Sequence, residues 1–184
     1  MGNRSPKAIV PTIPNSNSLD GNAFPVSEKK NGDVNRQKVL LLHGWRTSGD
    51  ILWKQTAAFR YHAGIEVVKV NAPWPAKGPP DSGIAEFYPN EPYYQWWDYV
   101  YEGEEEKSYD GQTESISKME AFLDEHGPFA GILGFSQGAT VATMLVELQM
   151  KKRKNWFNFV ILICGVPPLP QYFQSVRSLS FVFT

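Results

Sequence analysis

The chain has 184 residues, 42% hydrophobic, 14% aromatic and 20% charged, enough for one folded domain with a real core and too few for two. Eighteen Lys and Arg against 19 Asp and Glu leave a formal charge of −1, so no whole-chain field draws in nucleic acid or an acidic membrane. The single cysteine, Cys164, excludes an intramolecular disulfide and a multi-thiolate metal centre, and no apolar run approaches the roughly 20 residues that span a bilayer.

Residues 1–37 are rich in Asn, Ser, Pro and Lys, show neither helical nor strand periodicity, and lack the apolar centre of a secretory signal. They are expected to be a disordered N-terminal extension, and the expected compartment is the cytoplasm. From Lys38 the pattern changes. Val39-Leu40-Leu41-Leu42 is a short continuous apolar run ending in His43-Gly44, as in a strand buried on both faces. Ser48 or Asp50 then caps a helix that carries Ile51, Leu52, Ala58, Phe59 and Tyr61 and closes at Gly64. Residues 67–70 form the next strand, stopped by Asn71-Ala72-Pro73, and a long Pro-rich, aromatic stretch follows to about Lys107. Asp110 opens a helix with Ile116, Met119, Phe122 and Leu123 on one face, ended by Gly127-Pro128. A strand at 130–133, a helix at 137–149, a strand at 159–163 and a fifth strand at 179–183 complete the series. Alternating strands and helices argue for an α/β fold: a doubly wound parallel sheet of about five strands with helices on both faces.

The chemistry gathers at one turn. Gly134-Phe135-Ser136-Gln137-Gly138 matches G-x-S-x-G between an expected strand and an expected helix. The serine of such a turn holds a strained backbone conformation, and strand and helix approach so closely that Gly134 and Gly138 can carry no side chain. The strain exposes the Ser136 hydroxyl above the carboxyl ends of the strands. The helix behind it points its N-terminus at the site, favouring the negative charge of a tetrahedral intermediate. His43-Gly44-Trp45 ends the strand expected beside that of Ser136. The backbone N–H groups of Gln137 and Trp45 are therefore the candidate oxyanion donors, worth about 3 kcal/mol each, with Arg46 as the alternative to Trp45.

The Lys38–Gly44 run, Asn71-Ala72-Pro73, the Trp96-Trp97 pair and Gly134-Phe135-Ser136-Gln137-Gly138 occur in this order. Together they resemble the FSH domain, the family of serine hydrolases, a compact branch of the α/β-hydrolases. The resemblance covers residues 38–184. It implies esterase or thioesterase activity on a small-molecule carboxylic ester or acyl thioester, no cofactor, and a triad in the order Ser, acid, His. It also implies that His43 shapes the oxyanion turn rather than serving as base.

After Ser136 the only acidic residue is Glu147, and no histidine follows. Glu147 lies 11 helix positions on, roughly 16 Å along the axis at 1.5 Å per residue. His62 and His126 end helices that feed the starts of strands, so they belong at the opposite end of the sheet, on the order of 17 Å away. The domain is accordingly read as C-terminally truncated, lacking its C-terminal elements and impaired in hydrolysis; the alternative is a non-catalytic binding protein or pseudoenzyme.

The aromatic stretch suggests either substrate walls, with Tyr94, Trp96 and Trp97 as candidate pocket residues, or rings that pack a long loop onto the sheet. In an extended segment Trp96 and Trp97 face opposite ways. The acidic run 102–106 reads as a solvated loop, and no metal site is expected. Lys151-Lys152-Arg153-Lys154 raises the nucleus as a second compartment, although cations are favoured near a helix C-terminus by its dipole. Cys164, after an apolar strand, is expected to be a small core residue.

Overall fold

The computed structural model describes residues 38–169; the expected extension at 1–37 and the expected strand at 179–183 lie outside them. In chain order the elements are β1 (Lys38–Leu42), α1 (Gly49–Gln55), α2 (Ala57–Ala63), β2 (Glu66–Val70), β3 (Trp74–Pro75), α3 (Ser82–Phe87), β4 (Tyr94–Gln95), β5 (Asp98–Glu102), β6 (Glu105–Asp110), α4 (Gln112–His126), β7 (Gly131–Phe135), α5 (Gln137–Lys152) and β8 (Phe159–Ile163). Among them β2, β1, β7 and β8, in that order, make a four-stranded, wholly parallel sheet, as expected of an α/β fold.

The apolar run of β1 divides by the strand period of two. Leu40 and Leu42 join Val68, Val70 and Ile132 on the face covered by Met119, Phe122 and Leu123 of α4 and by Val141, Ala142 and Leu145 of α5. Val39 and Leu41 join Leu133 on the other face, against Leu52 of α1. Both faces are thus buried, which explains why β1 shows no alternation in sequence.

The chain moves from β1 outward to β2, then crosses back to enter β7 on the other side of β1. The strand order reverses between β1 and β7, so the carboxyl ends of these two strands open onto a topological switch point, where open α/β sheets form their binding crevices. His43, Gly44 and Trp45 follow β1, and Ser136 follows β7.

Several elements differ from the sequence expectations. The first helix is two. Ser48 caps α1 by accepting from Ile51 N–H, and the chain re-starts at Thr56 into α2, which buries no residue and leaves Tyr61 84% exposed. Gly64 closes α2 in the left-handed region at φ 61°. Residues 73–107 are not a plain loop: β3 pairs with β4, α3 lies between them, and β5 and β6 form an antiparallel hairpin. The acidic run 102–106 lies at the tip of that hairpin, with Gly103 turning at φ 63°. Lys151, Lys152 and Lys154, at the end of α5, pair with Glu147, Glu120 and Asp124, which is the structural reading of that basic run. Cys164 is exposed, not a core residue, because it leaves β8 at φ 52° just past the carboxyl end of the sheet. Among the described residues no helix is long and apolar enough to cross a membrane, and no cluster of His, Cys, Asp and Glu could hold a metal ion.

Trp96 and Trp97 occupy the bend between β4 and β5, and both side chains are fully buried. Truncating a buried indole costs about 3–5 kcal/mol, whereas an exposed ring such as Tyr61 costs no more than about 0.5 kcal/mol. Trp96→Ala is therefore expected to lower the urea midpoint sharply and Tyr61→Ala to leave it in place; similar midpoints for the two variants would contradict the placement of Trp96.

Candidate active site

Ser136 sits between β7 and α5 with φ 51° and ψ −119°, a conformation that L residues rarely adopt. Three contacts hold it there. Its own N–H donates to Ile163 of β8 at 2.8 Å, and its carbonyl accepts from Ala139 and Thr140 at 2.9 and 3.2 Å, starting α5. The glycines act as the motif requires. A Cβ on Gly134 would lie 2.5 Å from the Gly138 carbonyl oxygen and 2.6 Å from Ala139 Cα. A Cβ on Gly138 would lie 2.1 Å from the Leu42 carbonyl oxygen, so this glycine lets α5 approach the end of β1 as Gly134 lets it approach β7.

The turn after β1 reaches the same point. A Cβ on Gly44 would meet Ser136 Cβ at 3.3 Å, which brings the segment before Trp45 against the candidate nucleophile. Gln137 is the first residue of α5, so its N–H belongs to the group that has no acceptor within the helix. Arg46, at φ 52°, turns its guanidinium back over the Trp45 ring at 4.0 Å and donates to the Pro79 carbonyl at 3.0 Å.

His43 is fully buried, and both ring nitrogens are engaged. Nδ1 lies 2.7 Å from the Gly44 carbonyl oxygen and 3.2 Å from Thr47 Oγ1, while Nε2 accepts from Ala72 N–H at 2.8 Å. An N–H donor facing Nε2 and a carbonyl facing Nδ1 require the neutral ring with its proton on Nδ1. Burial lowers its pKa from 6.5 to about 4, against the opposing pull of the Gly44 carbonyl. His43 therefore pins the turn after β1 to the segment after β2. Glu147 is buried on α5 beside Lys151, whose Nζ lies 2.5 Å from it. His62 and His126 lie at the ends of α2 and α4, which lead to the starts of β2 and β7.

The expected pocket residues take another role. The Trp96 and Trp97 indoles are inside the core, so neither offers a wall to an open pocket. The segment bends at Trp96, which releases it from strand alternation and turns both side chains inward. Trp96 Nε1 donates to the His43 carbonyl at 2.8 Å, and Trp97 stacks on Tyr109 at 4.8 Å. Tyr94 is half-buried; its N–H donates to the Thr47 carbonyl at 2.7 Å. The Gln137 side chain completes the brace. Its Oε1 accepts from Trp96 N–H at 2.9 Å and its Nε2 donates to the Trp97 carbonyl at 3.0 Å. Sequence reasoning assigned Gln137 only a backbone role; no local pattern marks a side chain that bonds to a segment 40 residues away.

The His43 environment has a pH signature. Its folded pKa of about 4 is below the unfolded value, so the unfolded chain binds the extra proton between these limits. The stability it contributes is present above pH 6.5 and is lost as pH falls towards 4, to an extent of about 3 kcal/mol. Urea titrations at pH 7.5 and 4.5 are expected to show a smaller loss for His43→Gln than for the natural chain; equal losses would refute a neutral, buried His43.

A family model described as serine hydrolase (FSH1) matches residues 33–181. The esterase OVCA2 of Xenopus tropicalis is 33% identical over 152 residues, covering 72% of this chain and 62% of the relative. The esterase FUS5 of Gibberella moniliformis is 32% identical over 139 residues, covering 73% of this chain and 59% of the relative. The chain thus spans about three-fifths of the length of these curated relatives. Among solved structures, a tomato methylketone synthase I variant complexed with beta-ketoheptanoate aligns with TM-score 0.41 and 13% identity, over 79% of this chain and 50% of that one. With the serine turn and its glycines in place, the match over most of its length shows that this chain belongs to the FSH1 family of serine hydrolases.

Proposed function

We propose that this chain is a serine hydrolase domain acting on a small-molecule carboxylic ester or acyl thioester, with Ser136 as the nucleophile. The observation that carries this is the left-handed, strained Ser136 at the switch point, with Gly44 of the neighbouring strand end packed against it. The naming of the matched relatives as esterases supports the same reaction class. Ser136 Oγ attacks the carbonyl carbon, and the resulting oxyanion is held by the N–H groups of Gln137 and Trp45 at the positive end of α5. Collapse expels the alcohol or thiol and leaves an acyl-serine, which water then releases.

Attack requires that the serine proton be taken up. His43 does not serve, because both its nitrogens are occupied and its buried ring resists protonation. No histidine follows Ser136 in these 184 residues. The 184-residue polypeptide is therefore expected to turn over esters slowly, retaining about the 10³–10⁴ over water that oxyanion stabilisation and binding supply without a complete triad. The engaged state of His43 also gives weight to a second reading, in which this chain binds an acyl group without turning it over.

A fluorophosphonate probe with peptide mapping tests the nucleophile. Slow modification of Ser136 is expected, absent in Ser136→Ala, together with a weak 4-nitrophenyl butanoate hydrolysis that the same substitution removes. Hydrolysis unaffected by Ser136→Ala, or modification at another residue, would refute Ser136 as nucleophile; no modification alongside measurable ester binding would favour the second reading.

A further inference from the structure

Three aromatic rings lie in series, beginning with Trp45, the residue after Gly44. The Trp45 indole is 37% exposed, and Tyr99 meets it edge-on with ring centroids 6.0 Å apart. Tyr99 lies 6.4 Å from Tyr101, which is 58% exposed. The pairing of β5 with β6 shifts register between Val100 and Tyr101, and the ring contact, rather than strand alternation, keeps Tyr99 and Tyr101 side by side on the hairpin.

Both ends of β5's approach are tied to the serine turn. Trp45 directly follows Gly44, the residue packed against Ser136. Trp97 directly precedes β5 and is bonded through its carbonyl to the Gln137 side chain. The Arg46 guanidinium, itself anchored on Pro79, lies over the Trp45 ring and holds its orientation before any ligand arrives.

We propose that Trp45, Tyr99 and Tyr101 form an acyl-binding strip, along which the apolar acyl chain of the ester or thioester lies as it leaves the carbonyl held at Ser136. One residue, Trp45, supplies both the candidate oxyanion amide and the first ring, so an acyl chain attached to a carbonyl at that amide meets this indole first. The rings offer broad apolar contact with few rotatable bonds. A buried methylene is worth about fourfold in affinity, so a partly open strip is expected to favour an eight-carbon over a four-carbon acyl group by at least about tenfold. The direction of the chain rests on the hydrolase reading above; the strip as an apolar site does not.

The test uses the full 184-residue chain as Ser136→Ala, so that no ester is consumed, titrated calorimetrically with methyl butanoate and methyl octanoate. The octanoate is expected to bind more tightly. Adding Tyr101→Ala should weaken octanoate binding at least about threefold and leave butanoate unchanged, and Tyr101→Leu should recover part of the loss. Trp45→Ala, which removes the ring and keeps the amide, should erase the chain-length preference, with near-ultraviolet circular dichroism checking the fold of each variant. Absence of octanoate binding, or a preference that survives both alanine substitutions, would overturn the strip. Probe modification of Ser136 without chain-length preference sinks the strip alone. Chain-length preference with an unreactive Ser136 sinks the hydrolase reading alone, and leaves an acyl-binding site.

Discussion

The candidate site depends on how closely the first turn of α5 approaches the end of β1. At Gly138 the helix lies so near the Leu42 carbonyl that even one methyl group would overlap it. This contact seats the helix N-terminus over the seam between β1 and β7, and Ser136 is the residue that must bend to let it happen. A left-handed non-glycine costs on the order of 1–3 kcal/mol and persists only where its surroundings over-determine it. They do so here: β7 is paired on both sides, and α5 buries ten residues, Gln137 to Leu145 and Glu147, behind the bend. The strain is local, and the structure that supports it is the central sheet and its longest helix.

A second constraint acts across the top of the sheet. The 94–97 segment donates or accepts at three points that otherwise have no reason to stay together: the turn after β1 through Thr47 and His43, and the start of α5 through Gln137. The Gln137 amide is buried, and its two bonds to backbone groups satisfy both its acceptor and a donor that would be costly to leave unpaired. Ser115 adds a bond from α4 to the Trp96 carbonyl. The two candidate oxyanion amides are thus flanked by the Trp96 indole, the Trp96–Trp97 backbone and one amide side chain as well as by the two strands they follow. Such a network holds a geometry against thermal motion better than either loop would alone.

What could be read in the sequence was what short-range physics dictates. The apolar run of β1, the cap at Ser48, the buried face of α4, the boundaries of β8 and the glycines around Ser136 all follow from local patterns. The 73–107 region did not, because its strands are two to six residues long and are interrupted by prolines, too short for any period to emerge. An aromatic stretch alone does not tell pocket walls from core at Trp96 and Trp97, and the bend between β4 and β5 that turns both inward leaves no periodic signal. Cys164 was assigned by the burial of the strand before it, whereas the chain turns outward one residue later. The Gln137 side chain shows the limit most clearly. Its role depends on which residues arrive opposite it, and that is a property of the tertiary fold.

The division of labour at the top of the sheet also gives His43 its role. It sits next to Gly44, which packs against the serine, yet its chemistry is that of a core residue. One nitrogen accepts from Ala72, the other faces Gly44, and charging the ring would break the first contact and place a cation out of water. Its value lies in remaining neutral, because only the neutral ring can join the turn after β1 to the segment after β2. The strained serine, the helix terminus, the neutral histidine and the indole brace all arise from packing, and none of them needs a proton acceptor in order to form. The geometry of the serine turn and the means of moving a proton are therefore separable in this fold. The strained turn at Ser136 and the contacts that hold it are assembled within residues 38–169, whereas His43 is held in a neutral, fully engaged state that suits it to packing and not to proton transfer.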